Sequence, residues 1–221
     1  GRWFDPLATL AFLAAATKRI ELGVAVLVAP YRPPIPTAKW IATIQELSGG
    51  RLHLGVGVGW MQAEFDALGV DRRQRGRMTD ELMDFIRDCF AAADDIMQAN
   101  GQAFYFRPRP ACPKIYVGGM SGAAMQRAID KADGWIPMGI DPAKLASRVA
   151  RLKDMAAAAN RPCPQIIGMG ALPASQEEAV QWLGALEALG ATDYIQSSRY
   201  LTEHEFDAVT ERLTDLKRQL P

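Results

Sequence analysis

Residues 48–60 read SGGRLHLGVGVGW, and this stretch decides the fold. Gly49 and Gly50 indicate a tight turn, because glycine adopts a positive φ without steric cost. Almost every residue from Arg51 to Val58 is apolar, as in a parallel strand that is covered on both faces. The stretch therefore predicts a turn, a buried strand and a glycine-rich exit from that strand.

The glycines at this exit, Gly57 and Gly59, allow two interpretations. Because they lack side chains, they leave backbone N–H groups free to surround an anion, and ligands bind at the carboxyl ends of parallel strands. They equally allow the next helix to pack closely. The G-x-G-x-G spacing differs from that of the dinucleotide fingerprint, so it gives only weak support for a Rossmann domain.

Composition and charge narrow the class of protein. Of the 221 residues, 49% are hydrophobic, and 25 Lys and Arg balance 25 Asp and Glu. These values are typical of a globular protein and give no indication of a nucleic-acid or membrane-surface partner. No apolar run approaches the roughly 18 residues of a membrane span.

The cysteines and the first residues bear on the cellular compartment. Cys89, Cys112 and Cys163 are far apart and odd in number, which argues against a disulfide framework or a metal site and favours the cytoplasm. The chain opens on Gly-Arg-Trp-Phe, with neither an initiator Met nor the apolar core of a signal peptide. The sequence therefore resembles an internal part of a longer protein.

Predicted strands alternate with predicted helices along the chain, a pattern that gives a parallel sheet. Asp-Pro pairs begin helices at residues 5–6 and 141–142, and capping boxes begin them at residues 175–178 and 202–205. An amphipathic helix is predicted to begin at Thr79. The predicted strands cover residues 20–28, 51–58, 114–117, 135–138, 165–170 and 191–196.

Four segments, in this order, resemble the bacterial luciferase-like monooxygenase family, and more closely its coenzyme F420-dependent branch. They are residues 5–10 with 18–23, residues 48–60, residues 75–81, and residues 115–119 with 133–135. The resemblance covers essentially the whole chain, loosening after about Ala143. It implies a single luciferase-like domain over residues 1–221, an α/β domain of the (β/α)8 TIM-barrel type. Such a domain holds a flavin or deazaflavin at the carboxyl ends of its strands.

The resemblance also implies that the first two βα units of the barrel are missing from this chain. It aligns residues 20–28 with the third strand of the family and residues 52–58 with the fourth. The domain is therefore expected to be N-terminally incomplete. In the family, residues on those two units help to bind the ring and the substrate, so the catalytic residues of this protein are unknown.

Cofactor contacts are expected where three strands end. The turn at residues 118–122 lies between a strand and a helix, where backbone donors and the helix dipole suit a phosphate; simple packing is the alternative. The Ser121 hydroxyl adds a donor. The resemblance implies a cis peptide and a bulge at Ala25–Val26, against which the ring rests. The expected cofactor-binding residues are Ala25, Val26, Gly57, Val58, Gly59, Gly118, Gly119 and Ser121.

Other candidate side chains also have structural explanations. Trp60 either stacks on a cofactor or substrate, or packs in the core or at its rim, and packing is the preferred interpretation. His53 lies within a strand and is expected to be structural. Glu64, Arg75 and Glu81 match family positions, where paired charges that hold the helices are preferred over catalysis.

The resemblance implies an F420-dependent oxidoreductase that transfers a hydride between the deazaflavin and a small organic substrate. The alternatives are an FMN-dependent luciferase-like monooxygenase and a non-catalytic flavin-binding protein. A phosphate-binding isomerase barrel is disfavoured, because the sequence offers no acid–base pair for it. The expected partners are a small-molecule substrate and a second copy in a homodimer, with neither nucleic acid nor membrane.

Two features favour F420 over FMN. The first is the family branch, which residues 54–60 and the predicted helix start at residues 79–81 suggest. The second is that the polyanionic tail of F420 needs cations, and arginines follow two of the strands; an ordinary solvated face is the alternative. These arginines are Arg32, Arg72, Arg73, Arg75 and Arg77.

Overall fold

The computed structural model describes residues 3–139 and 141–219, in which helices and strands alternate. The helices are α1 (Pro6–Ala16), α2 (Pro34–Ser48), α3 (Gln62–Ala67), α4 (Arg75–Ala91), α5 (Gly122–Lys131), α6 (Pro142–Ala158), α7 (Gln176–Leu189) and α8 (Glu203–Gln219). The strands are β1 (Leu22–Val28), β2 (Leu52–Gly57), β3 (Ile96–Ala99), β4 (Gln102–Tyr105), β5 (Lys114–Gly118), β6 (Gly134–Ile136), β7 (Gln165–Gly170) and β8 (Ala191–Gln196). Every strand predicted from the sequence is present.

The chain forms two compact units. The first comprises Gly1–Gly118 with Asp130–Asp133, and the second comprises Gly119–Ile129 with Gly134–Pro221. In the first unit, β2 pairs in parallel with β1 on one side and with β5 on the other. In the second unit, β7 pairs in parallel with β6 and with β8. A single domain over residues 1–221 stays a prediction.

Strand β2 is the centre of the first unit. Its side chains alternate between two faces, and Leu52, Leu54 and Val56 are at most 2% exposed. Helices α1 and α2 contact β1 and β2 respectively, and α2 also contacts α1 and α4. Burial of each of these leucine and valine side chains contributes about 1.5–3 kcal/mol, so the strand is stabilised mainly by packing.

The Arg51 guanidinium stabilises the Ser-Gly-Gly-Arg segment that leads into β2. Its Nε donates to the Ser48 carbonyl at 2.6 Å, and its two terminal nitrogens donate to Ile20 O, Ala14 O, and the Oγ1 and O atoms of Thr17 at 2.7–3.2 Å. The Ala14 carbonyl lies in the last turn of α1, where no intrahelical donor remains. Arg51 therefore ties the end of α1 to the start of β2.

A β-hairpin that the strand prediction omits is formed by β3 and β4. The two strands are antiparallel, and the turn between them consists of Asn100 and Gly101, with φ of 50° and 73°. Asn-Gly with positive φ at both positions is the preferred two-residue hairpin turn. The sequence analysis recognised neither strand, because each has only four residues and an exposed face.

Helix α4 begins at Arg75, so the predicted start at Thr79 is wrong. Thr79 is fully buried, and its hydroxyl donates to the Arg75 carbonyl at 2.7 Å, one turn earlier in the same helix. A short 3-10 turn, Arg72–Gln74, leads into α4 and is capped by Asp71, whose Oδ1 accepts from the Arg73 N–H.

The second unit is built on well-capped helices. The Asp141 carboxylate accepts from the Ala143 N–H at 2.7 Å at the start of α6, and Ser175 caps α7. Glu205 and Thr202 bond reciprocally at the start of α8, as a capping box requires. These predicted helix starts are confirmed. Across the two described segments, no helix combines the length and apolar character that crossing a membrane would require.

We predict that Arg51→Leu lowers the free energy of unfolding by about 3 kcal/mol, because carbonyls at the end of α1 lose a charged donor. Urea unfolding measures the change. Arg19→Leu, at an exposed arginine just beyond α1, serves as the control and is expected to change stability by less than about 0.5 kcal/mol. Equal effects of the two substitutions would contradict the role given to Arg51.

Candidate functional site

The carboxyl ends of β1, β2 and β5 converge on the side chain of Val26. A methyl group on Gly57 would lie 2.4 Å from Cγ2 of Val26, and one on Gly118 would lie 2.7 Å from Cγ1. Both glycines therefore leave room for a side chain of β1, although only β2 is its direct neighbour in the sheet. The interpretations that they leave space only for a ligand or for a helix are incomplete.

The Ala25–Val26 peptide is cis, and the pairing of β1 with β2 shifts register between Val24 and Leu27. The predicted cis peptide and bulge are both confirmed. A methyl group on Gly55 would lie 2.3 Å from the Val24 carbonyl oxygen. This third glycine is thus required by close approach of the β1 backbone.

The segment after β2 turns at Gly59, which has a φ of 75°. A side chain there would contact Val28 at 2.8 Å and Phe65 at 3.1 Å, so the turn packs tightly against β1 and α3. Val58 is partly buried, whereas Trp60 is 76% exposed. The preferred packing role of Trp60 is therefore wrong, and its indole remains available for stacking.

Tyr31 joins the segment after β1 to α3. Its hydroxyl donates to Oε2 of Glu64 at 2.7 Å, and its ring meets Phe65 edge-on with centroids 5.0 Å apart. Burial, and then the hydrogen bond and charge of Glu64, raise the pKa of Tyr31 to about 12, against a smaller opposing effect of Arg72. Tyr31 is thus a neutral donor at ordinary pH. The sequence analysis missed it in the proline-rich segment 29–36.

Glu64, Arg75 and Glu81 were expected to form charge pairs that hold the helices, and each of them has a different partner. Glu64 binds Tyr31, and Arg75 donates to the Arg72 carbonyl at 2.9 Å. Glu81 instead forms an ion pair with Arg77.

Among the arginines considered for a polyanionic tail, Arg32 pairs with Asp5 and Arg77 pairs with Glu81. Their charges are therefore partly neutralised within the protein. These ion pairs agree with the alternative interpretation of the sequence, in which the arginines form an ordinary solvated surface and do not bind the cofactor tail.

His53 lies near the amino end of β2, away from the strand exits. Its Nε2 lies 2.6 Å from Oε2 of Glu21, and its Nδ1 lies 3.0 Å from the Tyr116 hydroxyl. The His53 and Tyr116 rings are also stacked, with centroids 5.7 Å apart. These contacts link β2 to β5 and to the residue that precedes β1, and they agree with the structural role expected for His53.

In the second unit, Gly119 is fixed by hydrogen bonds on both sides. Its N–H donates to the Ile136 carbonyl at 3.2 Å, and its own carbonyl accepts from Nε1 of the fully buried Trp135 at 2.6 Å. Its φ is 126°, which favours glycine. The N–H of Gly119 is therefore occupied, so a phosphate would have to take its donors from the residues that follow.

Those residues form the start of α5. The Ser121 Oγ accepts from the Ala124 N–H at 3.1 Å, which leaves the hydroxyl proton free to donate. The N–H groups of Gly122 and Ala123 make no hydrogen bond to any residue within 3–139 or 141–219. Free N–H groups and the positive end of the helix dipole suit an anion.

A family model described as "Luciferase-like monooxygenase" matches residues 1–219 of this chain. The chain belongs to this family. The resemblance drawn from the sequence is thereby confirmed.

Relatives differ in how much is known of them. An uncharacterized protein of Mycobacterium tuberculosis is 33% identical over 196 residues, which cover 86% of this chain and 66% of that protein. The FMNH2-dependent dimethylsulfone monooxygenase of Pseudomonas fluorescens is 29% identical over 155 residues, covering 66% of this chain and 42% of the relative. This chain thus spans slightly less than two thirds of the first relative and under half of the second.

A solved structure of an F420-dependent secondary alcohol dehydrogenase, in complex with an F420-acetone adduct, superposes with a TM-score of 0.72. The likeness covers 88% of this chain and 78% of that one at 14% identity, so it concerns the fold alone. The α/β fold of the (β/α)8 type, without counterparts of the first two βα units in this chain, is confirmed.

We predict that Gly57→Ala lowers the free energy of unfolding by about 1–3 kcal/mol, because its methyl group overlaps Val26. The Val26→Ala background should recover about 1 kcal/mol or more of that loss in a double-mutant cycle. Gly55→Ala is the control, since its severe overlap, at 2.3 Å, is with a backbone carbonyl that Val26→Ala leaves in place; its contact with Cγ1 of Val26 is longer, at 3.2 Å, so it should recover less. Equal recovery of the two alanine variants, or recovery of neither, would contradict the packing described.

We predict a late ionisation of Tyr31. The tyrosinate absorbance of the protein minus that of Tyr31→Phe should titrate with a midpoint of about 12. Folding favours the protonated phenol, so its stabilising effect is complete below the ordinary pKa and is lost as the pH rises through that midpoint.

Glu64→Gln should lower the midpoint, because a negative neighbour is removed. The midpoint should nevertheless stay above the ordinary tyrosine value, since burial is the larger cause. Glu81→Gln removes the same charge elsewhere and should leave the midpoint unchanged. An unchanged midpoint in Glu64→Gln would show that the Tyr31–Glu64 bond is absent in solution.

Proposed function

We propose that the protein is an oxidoreductase that binds a flavin or deazaflavin and acts on a small organic substrate. The observation that carries this proposal is the start of α5, where two unbonded N–H groups and the Ser121 hydroxyl can donate to one phosphate. Membership of the luciferase-like family supports it. Cofactors of both kinds are named for proteins similar to this chain.

The residues at the strand ends of the first unit are proposed to contact the ring. Val26 is partly buried and packs against glycines of β2 and β5, so it offers the ring a firm apolar surface. Exposed Trp60 offers an aromatic face. From the sequence, Ala25 and Val26 are proposed to contact the ring. Gly57, Val58 and Gly59 are proposed to contact the cofactor tail, and Gly118 its phosphate.

The chemistry divides between the cofactor and the chain. When bound, a flavin or deazaflavin supplies the redox step by accepting or donating a hydride. The residues of this chain hold and orient it: Ser121, Gly122 and Ala123 bind the phosphate, and Val26 excludes water from one side of the ring. Gly119 contributes by fixing the turn that leads into α5.

Between the two cofactors, we propose the deazaflavin F420. The motif at residues 54–60 and the family branch it resembles support this choice. A second candidate is an FMN-dependent monooxygenase, which the similarity to the Pseudomonas fluorescens enzyme favours.

A homodimer is also proposed. Helices α1 and α2 contact each other and expose large apolar side chains, which a second copy would cover. Phe12 is 72% exposed, Trp40 45% and Leu47 64%.

Titration of the protein with F420 and with FMN tests the proposed function. Ser121→Asp retains a good helix cap but places a negative charge where the phosphate would lie, so it should weaken cofactor binding by about tenfold or more. Ser175→Asp makes the same change at the cap of α7 and should leave binding unchanged.

Tighter binding of FMN than of F420 would assign the protein to the monooxygenase class. Equal affinity of Ser121→Asp and the unsubstituted protein would refute the phosphate site. Binding of neither cofactor would refute the proposed function.

A further inference from the structure

A cluster of basic residues lines one face of α6. Lys144, Ser147, Arg148 and Arg151 border a surface cavity of about 600 Å³. Their spacing of three, four and seven residues places them on one side of the helix.

Two of these cations lie against the start of α5. Arg148 donates from a terminal nitrogen to the Met120 carbonyl at 2.8 Å. A terminal nitrogen of Arg151 lies 2.9 Å from the position that a methyl group on Gly122 would occupy. The basic face therefore adjoins the turn where the phosphate is proposed to bind.

The charge of this face is not balanced within the described chain. Of the carboxylates in residues 3–139 and 141–219, none forms an ion pair with Lys144, Arg148 or Arg151. Like charges at this spacing on a helix repel, and the positive end of α5 adds to the repulsion. An anion in the cavity would relieve it.

The spacing of the cations indicates the form of that anion. Lys144 and Arg151 are seven residues apart, or about 10 Å along the axis of α6. A chain with several carboxylates can pair with cations along the whole of such a row, whereas one phosphate offers a single charged group. Arginine and lysine side chains are well suited to such groups.

We propose that this cavity binds the polyanionic, carboxylate-bearing tail of the deazaflavin cofactor. The inference rests on the proposed function and deepens it, because FMN ends at its single phosphate and has no group to place here. Selection of F420 over FMN would then reside in α6. Of the five arginines that the sequence suggested for the tail, Arg32 and Arg77 are already paired with carboxylates.

The test compares F420 that carries its glutamyl tail with the phosphate-bearing deazaflavin that lacks the glutamates. Lys144→Gln combined with Arg151→Gln should weaken binding of the tailed cofactor by about tenfold at low ionic strength and flatten its salt dependence. Binding of the tail-less form should change by less than about twofold. Fluorescence titration provides the affinities without any turnover.

Two further variants control for charge and shape. Arg199→Gln combined with Lys217→Gln removes the same charge from exposed positions of the second unit and should leave both affinities unchanged. Lys144→Arg combined with Arg151→Lys keeps the cations and should retain tight binding of the tailed form.

The outcomes separate the two proposals. If the unsubstituted protein binds both deazaflavins and the Lys144–Arg151 double variant binds them equally well, the cavity does not hold the tail. An equal loss in the Arg199–Lys217 control also overturns the inference, because the effect would then come from net charge. If the unsubstituted protein binds neither deazaflavin, the choice of F420 as cofactor fails and the tail site fails with it, whereas the proposed function fails only if FMN does not bind either.

Discussion

The steric limit imposed by Val26 governs the strand ends of the first unit. Its two methyl groups occupy the space where side chains of β2 and β5 would otherwise stand, so residues 57 and 118 must be glycine. The tight packing of protein interiors leaves no room for even one extra methyl group there. The glycine-rich character of these strands is therefore explained first by packing, and any ligand contact is made on a surface that packing has already shaped.

The fold could be predicted largely from local patterns. Apolar runs, Asp-Pro pairs and capping boxes each report on residues close together in the chain, and the six parallel strands and most helix starts follow from them. The predictions were wrong where contacts with distant parts of the chain determine the local structure. Threonine is a residue type that often begins a helix, but Thr79 is buried one turn inside α4. Its hydroxyl donates there to the carbonyl of Arg75. The short strands of the hairpin lack a buried face, so only their Asn-Gly turn marked them.

The candidate site was predictable only in part. The turn before α5 was recognisable because a strand, glycines and a helix follow one another directly. The reason for Gly57 and Gly118 was not, because the side chain that requires them belongs to a distant segment of the sequence. The basic face of α6 was not recognised either, because the bond from Arg148 to Met120 joins residues 28 positions apart. Likewise, nothing in the sequence pairs Tyr31 with Glu64, which are 33 residues apart.

The bonds around Gly119 have a kinetic and entropic consequence. Trp135 and Ile136 hold both polar groups of this residue before any ligand arrives, so the turn into α5 is ordered by folding itself. A preorganised loop loses little conformational freedom when a ligand binds, and more of the contact energy then appears as affinity. Association is also spared a loop rearrangement and should approach the rate set by diffusion and orientation. The buried indole of Trp135 would thus favour the binding of a ligand that it need never touch.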